Sequence, residues 1–560
     1  MSSSLDAEHD VPVDVVSNTS SGQHWWHVKF AAAVGSVVAG AVSLSPSLLP
    51  RSGLIEGLVF GVGMAVGYGV GLLVAWSIRQ FTARPGPWAG SRNAWRILAI
   101  LSVPVLAYCM WSGKQAQDDL YGLMGMQQPN GSWYLLVVVM AVAVFALVIG
   151  ISRVVRRMAR ALTRWMTKAM PAHTARALAV LVAIAITVLA ITGVLRGGVL
   201  ALVEAAYKTK NTTTTEGVVQ PTSLTVSGGP GSLIPWDTLG NQGRDFVVDG
   251  TTTQALTAFN GGTPKEPIRA YVGLESADSV DARARLAVEE LKHLGAFDRK
   301  VLAVGNTTGT GWIDEGAVDP LEYMYNGDVA TIAMQYSYLP SWISFLVDQQ
   351  KAKDTGVALF DAIYGEWIKQ PADHRPQLVV FGESLGSFGG EAAFSGIQDM
   401  TNRTSGILFA GPPNANEQWR RYTAARDPGS LQILPVYQQG TALRWAQVQT
   451  DLTIPTGSWG AARVLYMQNA SDPIVWWAPN LLLSKPDWLS EPRGPDVLPS
   501  LRWWPLLTFF QVSADLINST GVPLGHGHKY GTNQVWAWAA VLQPPGWTDA
   551  KSQQLVTLLS

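Results

Sequence analysis

The first 200 residues read as long apolar runs separated by short charged stretches. Residues 30–50 (FAAAVGSVVAGAVSLSPSLLP) and 57–78 (GLVFGVGMAVGYGVGLLVAWSI) carry no charge. Residues 97–113, 133–152 and 177–195 repeat the pattern. A helix crossing the hydrocarbon core needs about 20 apolar residues, within a range of about 17–25. The pattern therefore predicts five transmembrane helices, the third of them short. The segment near residue 30 follows a polar, acidic leader with Asp6, Glu8, Asp10 and Asp14. A cleavable signal peptide has a basic leader instead, so this run is expected to be an uncleaved first span.

Charge between the runs sets an orientation. Arg79, Arg84, Arg92 and Arg96 lie between spans two and three. Arg153, Arg156, Arg157, Arg160, Arg164, Lys168 and Arg176 lie between spans four and five. Between spans three and four there is Lys114, offset by Asp118 and Asp119. The positive-inside rule puts the two Arg-rich loops in the cytoplasm. The N-terminus is then cytoplasmic, and five spans carry everything after residue 200 to the extracytoplasmic side.

After residue 207 the pattern changes. Residues 207–228 are polar, Thr-rich and aperiodic, and are expected to be a linker. From 267 onward, short β-rich runs alternate with helical spacing. PIRAYVGL (267–274), KVLAVG (300–305), DVATIAMQYSYL (328–339), QLVVF (377–381), GILFAGPP (406–413) and ARVLYMQ (462–468) read as strands. Residues 279–294 and about 341–369 read as helices. QLVVF is wholly apolar, as expected of a strand buried on both faces. Alternation of this kind predicts a mostly parallel sheet with helices on both faces. The expected organisation is a leader over 1–24, a transmembrane helical domain over 25–206, a linker over 207–228 and an α/β domain over 229–560.

Composition sharpens this. Only 14% of the 560 residues are charged and 48% are hydrophobic, which excludes a disordered chain. A formal charge of −1 offers no basic field for nucleic acid. The single cysteine, Cys109, excludes an intramolecular disulfide or a cysteine zinc cluster.

The chemistry gathers around QLVVFGESLGS. Gly382, Glu383, Ser384 and Gly386 form G-x-S-x-G directly after an apolar strand and before a helical stretch. In such a turn the glycines relieve crowding, and the strained serine is lifted above the sheet. Folds with this elbow carry their partners in the order serine, acid, histidine. Of eight histidines only His526 and His528 follow Ser384, both in PLGHGHKYG. His528 is the first choice, because G-H-K-Y resembles the small-residue, His, aromatic ending common in such enzymes; His526 is the reserve, since spacing does not separate them. Asp472, just past a β-rich run and before a proline, is the expected acid. Asp427, Asp451, Asp487, Asp496 and Asp515 compete with it. An oxyanion needs two backbone donors: the amide of Leu385, and one from the loop NTTGTGW, where Thr307, Thr308 and Gly309 are the candidates.

LSPSLLPR (44–51), IPWDTLGNQGRDFV (234–247), NTTGTGW, GESLGS, NASDPIVWW and GHGHKYG together resemble the membrane-anchored α/β-hydrolase family common in actinobacteria. Its members join an N-terminal multi-span domain to a C-terminal α/β-hydrolase catalytic domain. The resemblance spans most of the chain and implies a triad of Ser384, Asp472 and His528. A serine hydrolase of this type needs no metal or organic cofactor. The substrate class expected is an amphiphilic, cell-envelope lipid ester. Trp476, Trp477, Trp503, Trp504, Phe509 and Phe510 would form an apolar mouth or a membrane-facing surface, or else aromatic core. An acyltransferase that passes the acyl group to a sugar or lipid hydroxyl would share the same residues. A transport or scaffold protein with an inactive hydrolase domain is the reading from another class. Glycine-rich faces such as GVGMAVGYGVG could pack helices within one chain or between protomers of a homo-oligomer.

Overall fold

The computed structural model describes residues 29–82, 90–129 and 131–560. The acidic leader, residues 25–28 and Arg84 lie outside the described residues. Six helices come first: α1 (Phe30–Ser43), α2 (Gly53–Thr82), α3 (Arg92–Leu123), α4 (Trp133–Met166), α5 (Ala172–Val194) and, after a π-helical stretch at Leu195–Leu200, α6 (Ala201–Thr212). Among the described residues, α2, α3, α4 and α5 are long and apolar enough to cross a membrane. Their outward side chains include Ile100, Val103, Leu135 and Leu189, each about two-thirds exposed or more. Apolar side chains on an outer face are what a hydrocarbon solvent requires.

The first expected span is shorter than its apolar run. α1 has 14 residues, about 21 Å at 1.5 Å per residue against a core of about 30 Å. It stops before Ser45-Pro46, where proline disfavours a helical backbone in the preceding residue. Leu44 still packs among the membrane helices, with Phe60 and Trp133, but the run then turns away into the C-terminal domain, where Leu48 and Leu49 are fully buried. The Arg-rich stretch expected as a loop is largely the continuation of α4, which runs on through Arg164.

α2 carries two glycine faces. Gly63, Gly67 and Gly71 meet α1: a Cβ on Gly67 would stand 2.1 Å from the Gly35 carbonyl oxygen. Gly53, Gly57 and Gly61 meet α4 at Trp133, Val137 and Ala141. Close backbone approach through small residues is the usual device for packing helices in lipid. Here it operates within one chain.

The C-terminal domain is built on a seven-stranded sheet: β1 (Ile268–Val272), β2 (Val301–Asn306), β3 (Val329–Met334), β4 (Gln377–Glu383), β5 (Gly406–Ala410), β6 (Leu443–Ala446) and β7 (Arg463–Met467). The order is β1-β3-β2-β4-β5-β7-β6 and every pair is parallel. Six of these strands coincide with the runs read from sequence. β6 (LRWA) was missed because Arg444 interrupts its apolar run. Its guanidinium is satisfied by the carbonyls of Gly440, Leu452 and Gly457. The register sets the strand ends in a row. Met334 pairs with Asn306, Asn306 with Gly382, Glu383 with Ala410, and Ala410 with Met467. From β2 the chain passes to β3 on one side, and from β4 to β5 on the other; ligand sites of open α/β sheets lie outside the strand ends at such a switch.

The segment expected as a linker is partly structured. Its first residues finish α6, where Asn211 is buried and accepts from Gln335 (3.0 Å). Near its end, Val226 bridges in parallel to Arg269 beside β1.

The two parts of the chain are in contact. The end of α1, the start of α2, the end of α3 and the start of α4 face the C-terminal domain. Gln511 donates to the carbonyls of Ser43 and Ser45, and Met124 belongs to that domain's core. Arg79, Arg92, Arg96 and the Arg153–Arg164 stretch of α4 lie toward the opposite helix ends.

Replacing Gly67 by Ala forces backbone apart, and overpacking of this kind costs about 1–3 kcal/mol. We expect Gly67→Ala to lower the thermal midpoint in detergent by several degrees. Gly69→Ala, whose Cβ would have open space, should be neutral or slightly stabilising because alanine is the better helix former. Equal midpoints for the two variants would refute the packing role.

Candidate active site

β4 delivers Ser384 to a turn with φ 55° and ψ −123°, a region that side chains other than glycine rarely occupy. A Cβ on Gly382 would lie 2.4 Å from the carbonyl carbon of Gly386. One on Gly386 would lie 2.2 Å from the Asn306 carbonyl oxygen at the end of β2. Both glycines are thus required by backbone approach. The Ser384 amide donates to the Ala410 carbonyl (2.9 Å), tying the turn to β5.

Asp472 follows β7 and caps the short helix Pro473–Trp476. Its Oδ1 accepts from the Ile474 amide (2.8 Å). Its Oδ2 accepts from the Tyr530 hydroxyl (2.6 Å) and faces Nδ1 of His528 at 2.7 Å. Asp472 is fully buried and His528 nearly so. With Nδ1 directed at the carboxylate, the neutral imidazole keeps Nε2 as its acceptor. That Nε2 is buried and makes no hydrogen bond within the chain. The ring lies over Gly411, where a Cβ would sit 2.4 Å from its Cε1. Gly411 directly follows Ala410, the residue that holds the Ser384 amide. Serine turn and imidazole therefore both lie at the end of β5, on neighbouring residues.

The reserve histidine takes a different partner. His526 Nδ1 faces Asp496 Oδ2 at 3.4 Å, and the same oxygen accepts from Ser471. It is also the more exposed of the two, at 26% of its side chain against 7%. Among the competing acids, Asp515 is committed elsewhere, to Arg51 at 2.8 Å.

Leu385 opens the helix Leu385–Glu391, and the amide of a first helical residue has no partner within the helix. Of the three loop candidates, the Thr308 amide is already used, donating to the Trp312 carbonyl (2.9 Å). Thr307 and Gly309 remain. The Thr307 hydroxyl donates to the Met334 carbonyl (3.0 Å), which fixes the loop across β3.

The aromatic cluster divides. Trp476 is core: it is buried, packs on Trp419 and Trp488, and donates to the Ala470 carbonyl. Trp477 packs on Phe345 and Phe509, with ring centroids at 6.3 and 5.6 Å. Phe345 also lies against the cluster that holds Leu385 and Phe388. An apolar wall thus extends from the residue after Ser384 toward the helix Leu507–Asp515. Trp503 and Trp504 instead line a separate cavity of about 880 Å³ with Leu123 at the end of α3. That cavity contains no member of the Ser384, Asp472 and His528 group.

Sequence reasoning missed Tyr530 and Gly411. The aromatic residue after G-H-K was the one available signal for Tyr530. It also missed the acid cluster behind the elbow. Asp314 accepts from the Gly316 amide (2.9 Å) and from Gln534. Burial first, then the charge of Asp314 and a hydrogen bond with it, then Asp472, push the Glu383 carboxyl well above its usual range. Among the described residues, no group of three or more His, Cys, Asp or Glu side chains is placed to hold a metal ion.

A parallel sheet whose central strand ends in a strained serine, with a histidine–aspartate pair arriving from later loops, defines a hydrolase-type α/β domain. Residues 268–555 match the model of the alpha/beta-hydrolase family, and residues 44–250 match that of the alpha/beta-hydrolase family N-terminus. The chain belongs to the alpha/beta-hydrolase family. No curated protein and no solved structure matches it.

Because Glu383 binds its proton more tightly folded than unfolded, the folded state holds more protons above the ordinary value of 4.5. Stability then falls as pH rises from there through the folded value. We expect Glu383→Gln, neutral at every pH, to flatten that slope. Thermal midpoints of both proteins between pH 4.5 and 8 read it directly, and parallel curves would show that Glu383 ionises normally.

Proposed function

We propose that this protein is a membrane-bound serine hydrolase that cleaves an ester of an amphiphilic, cell-envelope lipid. The observation that carries the reading is the buried Asp472–His528 pair, whose ring lies over Gly411 at the end of β5, next to the residue that holds the amide of Ser384 in its strained elbow. Nε2 of His528 takes the proton from Ser384 as its oxygen attacks the ester carbonyl. The resulting oxyanion is met by the Leu385 amide and by that of Thr307 or Gly309. Asp472 orients the imidazole and stabilises its protonated form, and Tyr530 holds the carboxylate in turn. The imidazolium returns its proton to the leaving alcohol. Water then repeats the sequence on the acyl-enzyme and regenerates Ser384.

Support for an amphiphilic substrate comes from the wall of Phe345, Trp477 and Phe509. Trp342 and Leu346 add to it: they lie on the helix Ser341–Val347 that carries Phe345, and are 65% and 67% exposed. The proposed orientation rests on the placement of the C-terminal domain at the helix ends opposite the arginines. The positive-inside rule puts those arginines in the cytoplasm and the site outside.

We expect a membrane-impermeant fluorophosphonate to label wild-type protein on intact cells and Ser384→Ala not at all. Labelling only after lysis would reverse the orientation, and labelling under neither condition would sink the hydrolase reading. Ester turnover should fall on the order of 10⁴-fold in Asp472→Asn, where the imidazole is left in the wrong tautomer. His526→Ala should lose far less, and equal losses in Asp472→Asn and His526→Ala would remove Asp472 from its assigned role.

A further inference from the structure

The segment Leu44–Arg51 joins the two halves: Leu44 packs with Phe60 and Trp133 of the membrane helices, while Leu48 and Leu49 lie in the C-terminal core. Asp515, at the end of the helix Leu507–Asp515, gathers it. Its Oδ2 accepts from the Ser47 hydroxyl and from the Leu48 amide (3.1 Å), and its Oδ1 takes Arg51 Nε at 2.8 Å. Arg51 also donates to the Gln511 carbonyl (2.9 Å) and to Glu56 in the first turn of α2 (3.2 Å). Its own amide donates to Gln117 of α3 (2.7 Å), and Trp133 of α4 donates to its carbonyl (3.3 Å). Three membrane helices thus converge on one buried arginine.

From there the structure runs directly to the histidine. Asn518 donates to the Pro50 carbonyl (3.1 Å). The carbonyl of the next residue, Ser519, accepts the His528 amide (2.8 Å). Leu49 Cδ2 lies 3.4 Å from where a Cβ on Gly527 would stand, in a residue with φ +51°. The other side of the loop is held from the turn that follows β7, by Asn469 on the Gly527 carbonyl and Ser471 on its amide, both at 2.8 Å. The histidine loop is therefore clamped between the sheet and residues 47–51.

We infer that the Leu44–Arg51 segment is a positioning element: it couples the membrane helices to the placement of His528, with Leu49 and Arg51 as its positioning residues. This inference rests on the serine-hydrolase reading. The membrane domain then does more than anchor. It supplies one of the two walls between which the histidine loop is set.

The test uses the full chain in membranes, with p-nitrophenyl butyrate as ester. Arg51→Met strips the counter-charge from two buried carboxylates and is apt to unfold the protein, so Leu49→Ala is the informative variant. A displacement of about 1 Å can cost about a hundredfold in rate. We expect Leu49→Ala to lower kcat and the fluorophosphonate labelling rate at least about tenfold, with KM nearly unchanged and with recovery in Leu49→Met. Leu256→Ala, an equally buried position in the same core, should leave kcat near wild type. Amide hydrogen exchange across 519–528 adds a readout independent of turnover, and it should accelerate in Leu49→Ala alone. Wild-type kcat with unchanged exchange in Leu49→Ala, or equal losses in Leu256→Ala, would overturn the inference. A wild-type enzyme that neither turns over the ester nor labels at Ser384 would fail the hydrolase reading instead, and the exchange comparison would still judge the clamp.

Discussion

Backbone crowding at the end of β4 is the constraint around which the C-terminal domain is arranged. Gly382 and Gly386 approach each other, and Gly386 approaches Asn306, so closely that no side chain fits. The serine between them is forced out of the ordinary backbone regions. Such strain persists only where the surroundings over-determine it. Here they do: parallel pairing fixes β2 on one side, and the Ala410 carbonyl holds the Ser384 amide on the other. The same pairing brings the ends of β3, β5 and β7 level with the turn, so the loops that follow them have one place to meet. Gly411 completes the arrangement by leaving room for an imidazole over β5.

A second constraint is electrostatic and lies at the junction with the membrane helices. Arg51, Glu56 and Asp515 are all buried, and buried ion pairs contribute little net stability because desolvation offsets attraction. Losing one partner is another matter, costing about 3–5 kcal/mol through the uncompensated charge that remains. Such a cluster therefore acts more as a specifier than as a glue. It penalises any docking of the two halves that fails to bring all three groups together, while the apolar contacts of Leu48 and Leu49 supply attraction without direction.

Much of this was legible in the sequence, for identifiable reasons. Ser384 sat in a motif whose glycines have a steric purpose, Asp472 and His528 followed in the required order, and six strands announced themselves as apolar runs. What stayed hidden depended on neighbours far away in the chain. The apolar run at 30–50 correctly signals burial, but hydrophobicity alone does not say whether lipid or protein covers Leu48 and Leu49. β6 hid behind Arg444, whose charge is satisfied by three carbonyls that no local pattern foretells. His526 and His528 could not be separated by spacing. The structure gives them different carboxylates, Asp496 and Asp472. The Thr308 amide looked as available as its neighbours until its bond to Trp312 was seen.

The insertion of Leu48 and Leu49 into the far core has a consequence for how the chain is made. Arg51 and Asp515 are 464 residues apart. At a synthesis rate of about 5–20 residues per second, the arginine waits on the order of half a minute or more for its carboxylate. During that interval the membrane helices can already pack, yet the groove that will receive the Leu44–Arg51 segment does not exist. The C-terminal domain can close its core only once its last fifty residues have emerged. A prematurely terminated chain would leave Arg51 with Glu56 as its one remaining carboxylate partner and two bare leucines at the membrane surface, the kind of defect that proteolytic surveillance recognises.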